Sequence, residues 1–98
     1  MDIKPLNPSI SVSPQIAPGD MTDIAAQGFK AIICNRPNGE EANQPSSEAI
    51  REAAKKAGLG FAYVPAVSGA ITPENVDDMA RALANLPSPV LAYCRSGA

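Results

Sequence analysis

Apolar and polar positions along the chain form two patterns, short apolar runs and longer amphipathic stretches. Apolar runs occupy residues 29–34 (FKAIIC), 60–64 (GFAYV) and 90–93 (VLAY), and each has the length of a buried β-strand. Residues 9–13 (SISVS) alternate polar and apolar side chains, which is typical of an edge strand. The pattern therefore predicts four strands.

Stretches with helix start and stop signals lie between these runs. Asp20 is a suitable N-cap for a first helix, and Gly28 suits the position just after its end. Ser46 or Ser47 can cap a second helix, which ends at Gly58. Each predicted strand after the first is thus preceded by a helix.

The third helix has the clearest signals. Thr72 is a cap residue, and Pro73 follows at the first helical position, where its missing N–H costs nothing. Apolar side chains then recur at helical spacing, which predicts one face packed against the core: Val76, Met79, Ala80, Leu83 and Leu86.

Strands that alternate with helices of this length predict an α/β fold. The expected architecture is a mostly parallel, four-stranded sheet flanked by helices, because parallel strands need crossover connections. We assign residues 9–98 to this domain and residues 1–8, which contain two prolines, to a loosely ordered N-terminal tail.

Composition excludes several classes of function. The 8 basic and 10 acidic residues give a net charge of -2, so the basic excess of a nucleic-acid-binding protein is missing. No run approaches the roughly 20 apolar residues of a membrane span, and the N-terminus lacks a signal-peptide pattern, so a cytoplasmic location without membrane contact is expected. With no histidine and two cysteines, the chain predicts neither a metal site nor another cofactor.

Candidate chemistry follows the strand ends. In an open α/β sheet, binding sites form beyond the carboxyl ends of the strands, so the loops after residues 34, 64 and 93 should converge. The first loop carries Arg36 and Glu40, the second carries Ser68, and the third begins with Cys94. We regard Arg36 and Ser68 as accessory candidates, and expect Arg36 and Glu40 to form a surface or loop-bracing ion pair that contributes little to stability.

Cys94 is the strongest catalytic candidate. It ends a strand and precedes a short turn whose backbone N–H groups can converge on an anion, a setting that favours a reactive thiolate. The turn would be an anion-binding loop formed by Arg95, Ser96, Gly97 and Ala98. The alternative is a buried cysteine that packs as a small hydrophobic side chain.

Cys34 ends the apolar run of residues 31–33 and is expected to lie in the core. A second hypothesis makes it a resolving thiol for Cys94, since both cysteines end strands at the same edge of the sheet.

Four segments together carry a resemblance to a known family: SISVSPQI (9–16), AIICNRPNGEE (31–41), AVSGAIT (66–72) and AYCRSGA (92–98). They resemble the phosphatase-like domain of the beta-lactamase-hydrolase-like proteins, bacterial domains related in fold to dual-specificity cysteine phosphatases. The resemblance implies that Cys94 is the nucleophile and that the backbone of residues 95–98 holds a small anionic substrate. Some members are fused to a metallo-hydrolase domain.

Members of this family continue with an arginine and further helices. The chain thus resembles a fragment that stops inside its active-site loop without the C-terminal helices. Because the closing arginine would balance the charge of a bound oxyanion, we expect weak or no activity from these 98 residues alone.

Two positions depart from the usual pattern of cysteine phosphatases. Tyr93 stands where histidine is usual, and the loop over residues 65–71 has Ser68 but no carboxylate to act as general acid. The segment YCRSG (93–97) also resembles rhodanese loops, which carry a persulfide. We therefore expect a phosphatase-type hydrolase, with a rhodanese-like sulfurtransferase as the alternative and a non-catalytic anion-binding domain of a larger protein as the third hypothesis.

Overall fold

A computed structural model describes residues 3–40, 42–66 and 72–94 of the 98-residue chain. The elements, in chain order, are β1 (Lys4–Asn7), β2 (Ile10–Ser13), α1 (Met21–Ala26), β3 (Ala31–Cys34), α2 (Ser47–Lys56), β4 (Gly60–Tyr63), α3 (Pro73–Asn85) and β5 (Val90–Tyr93). In these ranges no helix is long and apolar enough to cross a membrane.

The strands form one five-stranded sheet in the order β1-β2-β5-β3-β4. Strands β2, β5, β3 and β4 pair in parallel, and β1 pairs antiparallel with β2 at one edge. The predicted α/β class and mostly parallel sheet are confirmed, with five strands instead of four. β5, the last strand in sequence, lies in the middle of the sheet.

The additional strand comes from residues expected in the loosely ordered tail. The side chain of Asn7 closes the turn into β2, because its Oδ1 accepts hydrogen bonds from the backbone N–H groups of Ser9 at 2.8 Å and Ile10 at 3.1 Å. The turn lays Lys4–Asn7 along the free edge of β2. All four residues of β1 are exposed, so their hydrophobic pattern could not indicate a strand.

The predicted helix caps are present in part. Ser46, and not Ser47, caps α2, since its Oγ accepts from the N–H of Ala49 at 3.1 Å. Thr72 Oγ1 caps α3 through the N–H of Asn75 at 3.2 Å. Asp20 precedes α1 but accepts from the N–H of Ala17 instead, which fixes the turn before the helix.

The sheet separates two apolar clusters. The α1/α2 cluster lies on one face and contains Ile16, Met21, Ile24, Ile32, Cys34, Ile50, Ala54, Leu59, Leu91 and Tyr93. The α3 cluster lies on the other face and contains Ala31, Ile33, Val64, Val90 and Ala92. β3 and β5 contribute alternate residues to both clusters and are buried along their whole length, as expected of central parallel strands.

The orientation of α3 differs from the expectation. Met79 and Leu86 pack on the α3 cluster together with Ala82, but Ala80 is exposed, Val76 is 59% exposed and Leu83 is 37% exposed. The apolar positions of this helix fall into two adjacent stripes, and only one of them contacts the sheet. The sequence spacing alone does not distinguish the two stripes.

Candidate active site

The carboxyl ends of the four parallel strands meet, as the sequence predicts. The N–H of Asn35 donates to the carbonyl of Tyr93, and the N–H of Val64 donates to the carbonyl of Cys34, both at 2.9 Å. The N–H of Cys94 donates to the carbonyl of Ser13 at 3.1 Å. Cys94 therefore lies between the ends of β2 and β3.

Alternation along β5 predicts that the side chain of Cys94 lies on the α3 face of the sheet. Its backbone continues the ladder of β5, and Tyr93 before it packs in the α1/α2 cluster. Successive side chains on a strand point to opposite faces, which puts Cys94 opposite Tyr93. Its side chain is half-buried. The expected anion loop of Arg95, Ser96, Gly97 and Ala98, and the accessory candidate Ser68, lie outside the described residues.

Cys34 occupies the opposite face and is fully buried. Its thiol donates to the carbonyl of Arg36 at 3.3 Å. Burial raises the pKa of Cys34, and the nearby Tyr93 hydroxyl and Arg36 offset this only in part. The core interpretation of Cys34 agrees with this placement. Alternation along β5 predicts that Cys94 lies on the other face of the sheet from Cys34, which disfavours a resolving role.

Arg36 forms the loop-bracing ion pair, one of the two expected alternatives, and its guanidinium is buried and not at the surface. Only 4% of the residue is exposed. Its Nε donates to Glu40 Oε1 at 2.8 Å, and a terminal N–H donates to Gln15 Oε1 at 2.9 Å. Gln15 in turn donates to the carbonyl of Ile16 at 2.7 Å. Arg36 therefore connects the loop after β3 to the segment after β2, and Gln15 is a partner that sequence reasoning missed.

The rest of the loop after β3 is held by side-chain amides. Asn38 accepts from the N–H of Ser47 at 2.7 Å and donates to its hydroxyl at 2.9 Å, which fixes the loop to the start of α2. Gln44 donates to the carbonyl of Pro37 at 2.9 Å and accepts from the N–H of Glu40 at 3.1 Å. These hydrogen bonds tie the loop to α2 and to itself.

Tyr93 fills the position where histidine is usual, and its surroundings are apolar. Its hydroxyl is buried close to Cys34 and Gln15 and completes no hydrogen bond within the described residues. Burial raises the pKa of Tyr93 far above its ordinary value, and the neighbouring Cys34 raises it further. Tyr93 therefore stays protonated and uncharged, and unlike a histidine it cannot become a cation.

Asn35 is a second residue that sequence reasoning missed. The parallel register ends where Cys34 pairs with Tyr93, and Asn35 and Cys94 are the residues that follow these two. The Asn35 amide donates to the carbonyl of Val64 at 3.0 Å and to Met79 Sδ at 3.6 Å, so its side chain lies on the α3 face, the face that alternation predicts for Cys94. Only the pairing of β3 with β5 reveals this neighbour, because 59 positions separate the two residues in sequence.

Among the described residues, no three histidine, cysteine or carboxylate side chains gather in a group that could hold a metal ion.

A parallel sheet with a cysteine at the carboxyl end of its central strand is the architecture of the cysteine-phosphatase-like α/β domains. The crystal structure of a candidate phosphatase from Neisseria meningitidis superimposes with a TM-score of 0.90 at 38% identity, covering 99% of this chain and 69% of that chain. The core catalytic domain of the PP-IP phosphatase SIW14 from S. cerevisiae has a TM-score of 0.72 at 15% identity, covering 97% and 56%, and shares the fold.

Residues 2–98 match the family described as "Beta-lactamase hydrolase-like protein, phosphatase-like domain", and the chain belongs to this family. A beta-lactamase hydrolase-like protein from Xylella fastidiosa is 36% identical over 97 residues, which are 99% of this chain and 22% of that relative. The chain therefore corresponds to about a fifth of this curated relative, and the resemblance seen in the sequence is confirmed.

Proposed function

We propose that this phosphatase-like domain hydrolyses phosphate esters through Cys94. The observation that supports the proposal is the position of Cys94 at the carboxyl end of the central strand, between the ends of β2 and β3. A binding site in this fold class forms at that edge of the sheet. Cys34 is buried on the other face and is not suited to attack a substrate.

The reaction would proceed in two displacements. The thiolate of Cys94 attacks phosphorus, the S–P bond forms, and the ester O–P bond breaks with its electron pair on the leaving oxygen. Water then cleaves the cysteinyl-phosphate intermediate and restores the thiolate. In the proposal, backbone N–H groups of residues 95–98 hold the phosphoryl oxygens, the role that the family resemblance implies for them.

The leaving group decides which substrates suit such a site. The segment 64–72 contains no carboxylate and no histidine, so it offers no general acid to protonate an alkoxide. General acid assistance is typically worth about 10²–10⁴ in rate. An aryl phosphate, whose phenolate leaves without a proton, is therefore the appropriate test substrate.

Sulfur transfer is the second candidate, and the likeness of residues 93–97 to rhodanese loops and the absence of a carboxylate from residues 65–71 favour it. Here the Cys94 thiolate attacks the outer sulfur of thiosulfate, a persulfide forms, and sulfite leaves with the electron pair of the broken S–S bond. Cyanide then takes the outer sulfur as thiocyanate and restores the thiolate. This chemistry needs no leaving-group acid.

Two assays on the natural full-length chain separate the candidates. We would measure phosphate release from an aryl phosphate, and thiocyanate formation from thiosulfate and cyanide. Cys94→Ser should abolish the relevant activity, and Cys34→Ser, the matched control at the buried cysteine, should retain it. Phosphate release that depends on Cys94 supports the proposal. Thiocyanate formation alone would replace it with sulfur transfer, and full activity in Cys94→Ser would exclude both.

A further inference from the structure

Asn35 stands beside the proposed nucleophile in the sheet. The register of β3 and β5 ends at Cys34 and Tyr93, so Asn35 and Cys94 are the next residue on each chain segment. The Asn35 side chain contacts α3, and alternation along β5 predicts the same face for Cys94. Adjacent strands lie about 4.7–4.9 Å apart. A group carried by Asn35 is therefore within reach of a water molecule that approaches an adduct on Cys94.

The carboxamide of Asn35 is fixed in one orientation. Its amide nitrogen donates to the carbonyl of Val64 at 3.0 Å and to Met79 Sδ at 3.6 Å, which uses both N–H groups. Its backbone is held as well, by Tyr93 on one side and by Ala66, whose N–H donates to the Asn35 carbonyl at 2.9 Å. Within the described residues, no hydrogen bond uses Oδ1, so this oxygen remains as an acceptor.

From this geometry we propose that Asn35 Oδ1 positions the water that hydrolyses the cysteinyl-phosphate on Cys94; the inference rests on the proposed function. The water oxygen bonds to phosphorus, and the S–P bond breaks with its electron pair on sulfur. The proton released by the water passes to a phosphoryl oxygen, so that dihydrogen phosphate leaves. A carboxamide takes up no proton, and the contribution of Asn35 is orientation.

The test separates the two displacements in the natural full-length chain. We would mix it with p-nitrophenyl phosphate, follow the first turnover of p-nitrophenolate, and measure phosphorylated Cys94 by intact mass after acid quenching. In Asn35→Ala the first turnover should remain near the wild-type rate, while steady-state turnover falls about tenfold to a hundredfold and the phosphorylated enzyme accumulates. Asn35→Ser, which keeps an acceptor oxygen, should recover part of the lost steady-state turnover. This second variant keeps the proposal testable if Asn35→Ala fails to fold.

Asn75→Ala is the matched control. The Asn75 amide also holds the segment after β4, by donating to the carbonyl of Pro65 at 3.2 Å, but it lies on α3 and not directly after β3. This variant should not accumulate the intermediate. Accumulation in Asn75→Ala, or equal slowing of both steps in Asn35→Ala and Asn35→Ser, would overturn the role of Asn35. Absence of any phosphate release that depends on Cys94 in the wild type would instead overturn the proposed function itself.

Discussion

Cys34 is the last residue of the apolar strand β3 and Cys94 directly follows the apolar strand β5, yet their thiols have different surroundings. Cys34 faces the α1/α2 cluster and donates to a backbone carbonyl, whereas Cys94 is half-buried beyond the end of β5. Alternation of side chains along paired strands causes this difference. The reactivity of a cysteine in this chain therefore depends on its face of the sheet.

Alkylation should distinguish the two thiols. We expect iodoacetamide at neutral pH to label the folded protein once, at Cys94, because burial and a raised pKa keep Cys34 protonated and inaccessible. Intact mass should show one adduct on the wild type and none on Cys94→Ser. Both thiols of the wild type should react in denaturant. Labelling of folded Cys94→Ser at the wild-type rate would contradict the assignment.

Tyr93 carries a buried hydroxyl that completes no hydrogen bond among the described residues. Leaving such a group unsatisfied costs about 1–3 kcal/mol. Tyr93→Phe removes only this hydroxyl, so the free energy of unfolding should rise by about 1 kcal/mol. Urea unfolding of the two proteins measures the difference. A clear loss of stability would mean that the hydroxyl has a partner in solution.

Side-chain hydrogen bonds hold the loop after β3 in place. Arg36 ties it to the segment after β2, Asn38 ties it to the start of α2, and Gln44 closes it on itself. The predicted Arg36–Glu40 pair exists, and its spacing of four positions made it visible in the sequence. The burial of Arg36 could not be predicted from the sequence. It depends on Gln15, which is 21 residues away in the chain and reaches the guanidinium only in the folded sheet.

Removing Arg36 should destabilise the fold far more than removing an exposed arginine. Breaking a buried ion pair costs about 3–5 kcal/mol, and because the Glu40 side chain is 25% exposed we expect about 2–3 kcal/mol for Arg36→Ala. Arg81→Ala is the matched control. Its pair with Asp78 has a similar distance of 3.0 Å but is solvent-exposed, so the loss should stay below about 1 kcal/mol. Equal losses of unfolding free energy for Arg36→Ala and Arg81→Ala, measured by urea unfolding, would contradict a bracing role of Arg36.

Helix α3 shows the limit of periodicity as a guide to packing. Its start was predicted at Thr72 and Pro73, because capping is a local property of the chain. The spacing does not predict which stripe of the helix is buried. In the structure Met79 and Leu86 pack against the sheet, while Val76 and Leu83 are exposed. Two adjacent apolar stripes satisfy the same spacing, and the choice between them is made by the sheet surface that the helix meets.

The whole domain should lose stability at alkaline pH. Cys34 and Tyr93 have pKa values raised by burial above their ordinary values of 9.0 and 10.0, so the folded state holds these protons more tightly than the unfolded state. Their contribution is complete below about pH 9 and is lost as pH rises from there toward the folded-state pKa values. Urea unfolding between pH 8 and pH 11 should show this decline.

Tyr93→Phe provides the control for the pH dependence. The variant lacks the tyrosine that the unfolded chain ionises, so the decline above about pH 10 should become shallower. A decline of the same slope in both proteins would show that other groups determine the alkaline limit.

Local sequence determined the elements of this protein other than β1, together with the caps of α2 and α3, the α/β class and the cysteine after the last strand. These properties depend on residues within one turn or one strand of each other, and hydrophobic periodicity records them. The tertiary structure decided the strand β1, the buried stripe of α3, the burial of Arg36, the separation of Cys34 from Cys94, and the placement of Asn35 beside Cys94. Each depends on which strands pair and in what register, and those contacts join residues that are distant in sequence.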